Sequence, residues 1–181
     1  MRFDDGIQLI ICHLRQIQSL TVFLQVMNLD QQIQFLIDDA PNDGVTPGLI
    51  KAIAPGLKQL ALNLRHEQYY ILQSLDSDWL VTTIRNSENI EKRVIYAFPT
   101  LQDSFATSSA QFKAQLVALP MPVTHILFQL VALESVDSVI FLEKPGEATT
   151  GYEINPQDIR KLIQVQIKPQ SLYNQIPPDI A

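Results

Sequence analysis

The chain has 181 residues, 46% of them hydrophobic and 18% charged, with 13 Lys and Arg against 19 Asp and Glu for a net charge of −6. That apolar content supports a buried core and excludes a disordered chain. The acidic balance, with Lys92-Arg93 and Arg160-Lys161 the only adjacent basic pairs, argues against nucleic acid or an anionic membrane as partner.

Cys12 is the only cysteine, which excludes an intrachain disulfide and a thiolate metal cluster and fits a reducing, cytoplasmic setting. Residues 6–27 place Ile7, Ile10, Ile11, Leu14, Ile17, Leu20, Leu24 and Met27 at helical spacing, with Asp4 or Asp5 as the cap. A strand over Ile7 to Leu14 is the rival reading, because Ile7, Leu9 and Ile11 alternate. Gln8, His13, Arg15, Gln16, Gln18 and Gln25 interrupt the apolar run, so no membrane span is expected. Asp4 and Asp5 stand where a secretory leader carries positive charge.

Asp30 reads as the cap of a second, short helix carrying Ile33, Leu36 and Ile37. "APNDGVTP" (Ala40 to Pro47) is a loop, with Thr46 as N-cap and Pro47 at the first helical position. Pro55-Gly56 is expected to split the helix of residues 49–64 into two pieces. Tyr69–Leu75, Trp79–Arg85 and Arg93–Phe98 are rich in aromatic and β-branched residues and predict a three-stranded antiparallel meander. Residues 100–119 read as a loop followed by a helix over Ala110 to Leu119.

Pro122 opens a helix in which Val123, Ile126, Leu127, Leu130 and Val131 share one face. Phe128, Ala132 and Leu133 make it apolar nearly all round, as in a helix buried on two sides. Ser138–Leu142 is a strand. Asn155, Pro156 and Asp158 then begin a last helix with an approximate capping box, which ends at Lys168-Pro169 and leaves an extended tail. The expected architecture is one α+β domain over residues 1–181: an antiparallel β-meander of about four strands packed against helices. Its parts are an N-terminal helical segment (1–40), a sheet-and-helix core (66–168) and a tail (169–181).

Gly146 and Gly151 stand five apart after a strand, the outline of a phosphate-binding loop. The lysine and hydroxyl that such a loop needs are replaced by Tyr152 and Glu153, so a strand-to-helix connection with a Pro145-Gly146 turn is the reading. "HEQYY" begins like a zinc-binding helix but has Tyr70 where the second histidine belongs. "DDAPNDG" fails as a calcium loop, because Pro41 and Ile50 fall at ligand positions. Cys12 and His13 are sequence neighbours, which point in different directions, so they make no ready nucleophile pair. His125 reads as a hydrogen-bonded, partly buried histidine, and Glu134 as either past its helix end or a semi-buried carboxylate.

No catalytic, cofactor-binding or metal-ligating residue is assigned, and no cofactor is expected. Two function classes remain. One is a non-enzymatic protein-interaction or assembly module, its partner another protein or a second copy, with Ile17, Leu20, Leu24 and Met27 as interface candidates. The other is an enzyme or small-molecule-binding domain with a dispersed pocket drawn from Tyr70, His125, Glu134, Gly146 and Gly151.

Overall fold

The computed structural model describes residues 27–43, 46–85, 89–106, 115–131, 133, 135–147 and 149–162. The expected helix over residues 6–27 and the tail of residues 169–181 lie outside them, apart from Met27.

Helix α1 (Leu29–Asp38) is capped by Asn28, not Asp30. The Asn28 side chain accepts from the Gln31 N–H and the Gln31 side chain accepts from the Asn28 N–H, both at 3.0 Å. This reciprocal pair is a capping box. Asp30 sits in the first turn, where its charge favours the helix dipole, and pairs with Lys58 at 2.5 Å. Helix α2 (Thr46–Ala61) is capped by Asp43, whose carboxylate accepts from the Thr46 N–H at 2.7 Å, so the cap lies upstream of Thr46.

Pro55 does not split α2. Lys51 and Pro55 are both exposed, so the carbonyl that Pro55 cannot bond faces solvent. The buried residues Ile50, Ile53, Leu57 and Ala61 run at spacings of three and four through the proline, and their burial outweighs its cost.

The sheet has six strands: β1 (Gln68–Ser74), β2 (Thr82–Arg85), β3 (Glu91–Phe98), β4 (Leu116–Pro122), β5 (Ser138–Leu142) and β6 (Gly151–Ile154). Its order is β4-β1-β3-β5-β6, with β2 also on β3. The β3–β5 pair is parallel and all others are antiparallel. The α+β class stands, but the sheet is mixed and larger than the expected four-stranded antiparallel meander. The parallel pair arises because the chain leaves β3 through α3 (Leu101–Ala106), β4 and α4 (Val123–Leu130) before returning as β5.

Two strands lay hidden in the sequence. Residues 116–119, expected as helix, belong to β4, the outermost strand on its side. The Val123 N–H donates to Glu67 O at 2.9 Å, so odd-numbered residues of β4 face β1 and even-numbered ones face outward. Pro120 and Pro122 therefore lose no ladder bond, and they blunt the open edge. The segment after β5 is a hairpin into β6 and not a direct passage to the last helix, α5 (described over residues 156–162).

One face of the sheet packs α1, α2 and α4 against Tyr69, Ile71, Ile95, Ala97, Val139 and Phe141. Each fully buried aliphatic there contributes about 1.5–3 kcal/mol. Tyr69 and Phe141 meet edge to face at 5.1 Å. The other face carries a smaller cluster of Leu72, Phe98 and Leu142, with Tyr70, Tyr96 and Phe105 of α3 against it. All residues of α4 but Gln129 are buried, in line with the apolar face expected nearly all round.

Candidate functional site

Tyr70, Gly146 and Gly151 lie on the α3 side of the sheet. Tyr70 packs half-buried against the smaller cluster. Gly146 (φ +77) turns the β5–β6 hairpin, and its N–H donates to Asp103 Oδ1 at 2.9 Å. Gly151 starts β6, and a Cβ there would lie 2.8 Å from Ile140 Cγ2 and 3.0 Å from Phe141 O. One glycine thus serves a positive-φ turn and the other a close strand approach, which accounts for their spacing. His125 packs on the opposite face of the sheet, so the structure does not bring it together with Tyr70. Glu134 lies outside the described residues. So do Ile17, Leu20 and Leu24, while Met27 is half-buried.

His125 is buried, at 7% exposure, against Phe35, with ring centroids 5.6 Å apart. Neither ring nitrogen has a hydrogen-bond partner among the described residues, contrary to the hydrogen-bonded histidine expected from the sequence. Burial pushes its pKa down to about 4, because the charged imidazolium is poorly solvated there. His66, the histidine of that zinc-like start, is half-buried, with Nε2 3.0 Å from Glu143 O and its ring edge-on to Tyr69.

Beside His125 lies a residue that carried no signal beyond its place between Leu29 and Leu36: Gln32. Its amide nitrogen donates to Met27 O at 2.8 Å and Glu67 O at 2.9 Å. Its oxygen accepts from the Thr124 N–H at 3.2 Å and the Thr124 hydroxyl at 3.1 Å. Pro122, the N-cap of α4, has no side-chain cap bond of its own, so Gln32 caps that helix from α1. At the other end Arg160 donates to Val131 O at 2.7 Å through its guanidinium, where a cation also suits the helix dipole.

Two recesses flank the parallel pair. At the carboxyl ends of β3 and β5, where open α/β sheets usually take ligands, Phe98, Asp103, Leu142, Lys144 and Gly146 line a crevice of about 60 Å³, space for no more than a few waters. At the amino ends, Lys92, Asp137, Asn155, Asp158 and Arg160 line a polar recess of about 310 Å³, together with Leu133 and Val136. The polar groups there already hold the fold. Lys92 pairs with Glu153, Asp137 accepts from the Arg93 N–H at 2.7 Å, and Arg160 caps α4. Burial raises the Glu153 pKa, but the bond to Lys92 and its charge, with the Ser138 hydroxyl close by, outweigh that and hold it below the ordinary value. Among the described residues no group of three His, Cys, Asp or Glu side chains is placed to hold a metal ion. No described helix is long and apolar enough to cross a membrane.

The same end of the sheet carries β2. Val94 pairs with Thr82 on one side of β3 and with Ser138 on the other, so β2 continues along the edge that β1 occupies further down. The Asp137 N–H donates to Arg93 O, and the Arg93 N–H donates to the Asp137 side chain. Arg93 therefore points its backbone at β5. Its cross-strand partner Thr83 then makes no ladder bond to β3, and the N–H and C=O of Thr83 face away from the sheet. By the same alternation so do those of Arg85. The exposed Leu80 and Val81 lead into β2 and, as strand neighbours, point to opposite faces, while Leu75 and Ile90 are exposed in the segments before and after it.

Compared with known proteins, the chain matches no family model, no curated protein and no solved structure.

Proposed function

We propose that the chain is a non-enzymatic protein-interaction or assembly module of the cytoplasm, and that its contact surface is the end of the sheet around β2. The observation that carries this reading is the outward-facing backbone of Thr83, on a strand entered through the exposed Leu80 and Val81. An unpaired strand edge is what a strand-adding partner satisfies. The single cysteine supports a reducing compartment. A photo-crosslinking residue at position 90 is expected to trap a polypeptide in the native cell, whereas one at the exposed Gln59 of α2 traps none. No adduct at position 90 contradicts the reading.

The polar recess favours a second reading, a small-molecule-binding domain, since about 310 Å³ reaches the lower size of ligand pockets. Against it stands the commitment of its charged groups to structural bonds, and its place at the amino ends of the parallel strands.

A further inference from the structure

We infer that the contact between α1 and α4 is an acid-operated latch, in which a proton on His125 opens α1 from α4 while the sheet stays folded. This device lies away from the β2 edge and stands independently of it. Its ground is the place of the imidazole. His125 is buried against Phe35 of α1, and neither ring nitrogen has a hydrogen-bond partner among the described residues. A neutral ring forgoes one N–H bond there. An imidazolium forgoes two and leaves a charge unsolvated, so it must meet a partner or water.

The elements around it offer no partner. α4 and β4 carry no other ionisable side chain. On α1, Asp30 pairs with Lys58, Asp38 accepts from Gln34 at 2.7 Å, and Asp39 stands one turn beyond Phe35. On α2, Lys51 is exposed and Lys58 is held by Asp30. Tyr69 is the other ionisable side chain of the buried core, and its hydroxyl accepts from the His66 N–H at 3.3 Å. Burial alone shifts His125, so no carboxylate among these offsets a charge on it.

Water must then enter, and α1 is the weaker hold. It buries only Leu29, Gln32 and Leu36, and Phe35 over the imidazole is half-buried. α4 buries Val123, Ile126, Leu127, Phe128 and Leu130, and burial stabilises in proportion to apolar area. α1 also precedes every strand, so its movement breaks no strand pair. The Gln32 bonds to Thr124, next to His125, break in the same movement. Once α1 opens, the ring regains its ordinary affinity for a proton. The opening constant of α1 therefore rises about a hundredfold from pH 7 to pH 4.

The test is limited digestion of the full chain by pepsin at pH 4, with the first cut within residues 29–162 located by mass spectrometry. Wild type is compared with His125→Phe and His125→Leu, and circular dichroism checks that the variants fold. Wild type is expected to be cut first within residues 29–38, and faster there than a folded variant. A first cut in the sheet or in α4, no cut, or equal cutting of α1 in wild type and a folded variant overturns the latch. Amide exchange of wild type alone tests the same claim if neither variant folds. Corrected for intrinsic rates, the α1 amides are expected to lose about a hundredfold in protection from pH 7 to pH 4 and to stay below those of β1 and β3. Protection of α1 equal to that of β1 and β3 at pH 4 overturns it.

Discussion

The side-chain oxygen of Gln32 accepts the backbone N–H of Thr124 at 3.2 Å, a bond that spans 92 positions and closes the open start of α4 from another helix. All four hydrogen-bonding positions of the Gln32 amide are in use, and the residue is buried. Replacing it by leucine keeps the volume but strands the Thr124 N–H and the carbonyls of Met27 and Glu67. Each orphaned group costs about 1–3 kcal/mol, and partial solvation lowers the sum. Gln32→Leu is therefore expected to lose about 2–4 kcal/mol in urea unfolding. A change under about 0.5 kcal/mol, the size of an ordinary surface substitution, contradicts the clamp.

His125 sets a pH dependence. Its pKa falls from 6.5 to about 4 on folding, so between those values the unfolded chain binds the extra proton. Stability from this group is complete above pH 6.5, declines as the pH drops, and is fully lost near pH 4. The total is about 3 kcal/mol at most. His125→Phe removes the titration, so the difference in unfolding free energy between wild type and variant is expected to change across that window. A constant difference from pH 7 to pH 4 rejects the burial of a neutral imidazole.

The two hairpin glycines are expected to fail for different reasons. At Gly146 a Cβ meets nothing within 4 Å, but φ is +77, so Gly146→Ala costs about 1–2 kcal/mol and Gly146→Asn less. At Gly151 the Cβ collides with Ile140 and the Phe141 carbonyl, so alanine and asparagine are both costly, by about 1–3 kcal/mol. Thermal unfolding of the four variants checks this, and equal tolerance of asparagine at both positions contradicts it.

Pro55 is exposed on an unbroken α2. Pro55→Ala restores one helical bond without touching the core and is expected to stabilise by about 1–3 kcal/mol. A destabilised Pro55→Ala would mean that a bend at the proline is needed to seat Leu57 and Ala61.

The elements legible in the sequence were those whose side chains face one environment. Ser138–Leu142 is buried but for the half-buried Ile140 and reads as a strand without ambiguity. α4 reads as a helix because its apolar residues recur all round it. β4 did not, because its two prolines suit only an edge, and being an edge is a tertiary property. β6 was missed because Gly151, Tyr152 and Glu153 are all exposed and leave no alternation to read. The parallel β3–β5 pair was not foreseeable from adjacent strands, since it depends on the route through β4 and α4. Of the pocket candidates, Gly146 lies in the expected turn, but Gly151 opens β6 where a strand-to-helix connection was expected, and nothing in the sequence placed Tyr70 and His125 on opposite faces. The outward backbone of Thr83 follows from register alone, which no residue type announces.

The central claim is that the open edge of β2 is a contact surface. Hydrogen–deuterium exchange resolved at residues 79–86 tests it most directly, comparing the purified chain with the same chain in extract of its native cell. The amides of Thr83 and Arg85 are expected to slow in the extract, while the outward amides of Leu116 and Ala118 on the edge of β4 stay unchanged. Equally rapid exchange at Thr83 and Arg85 in both would contradict the account.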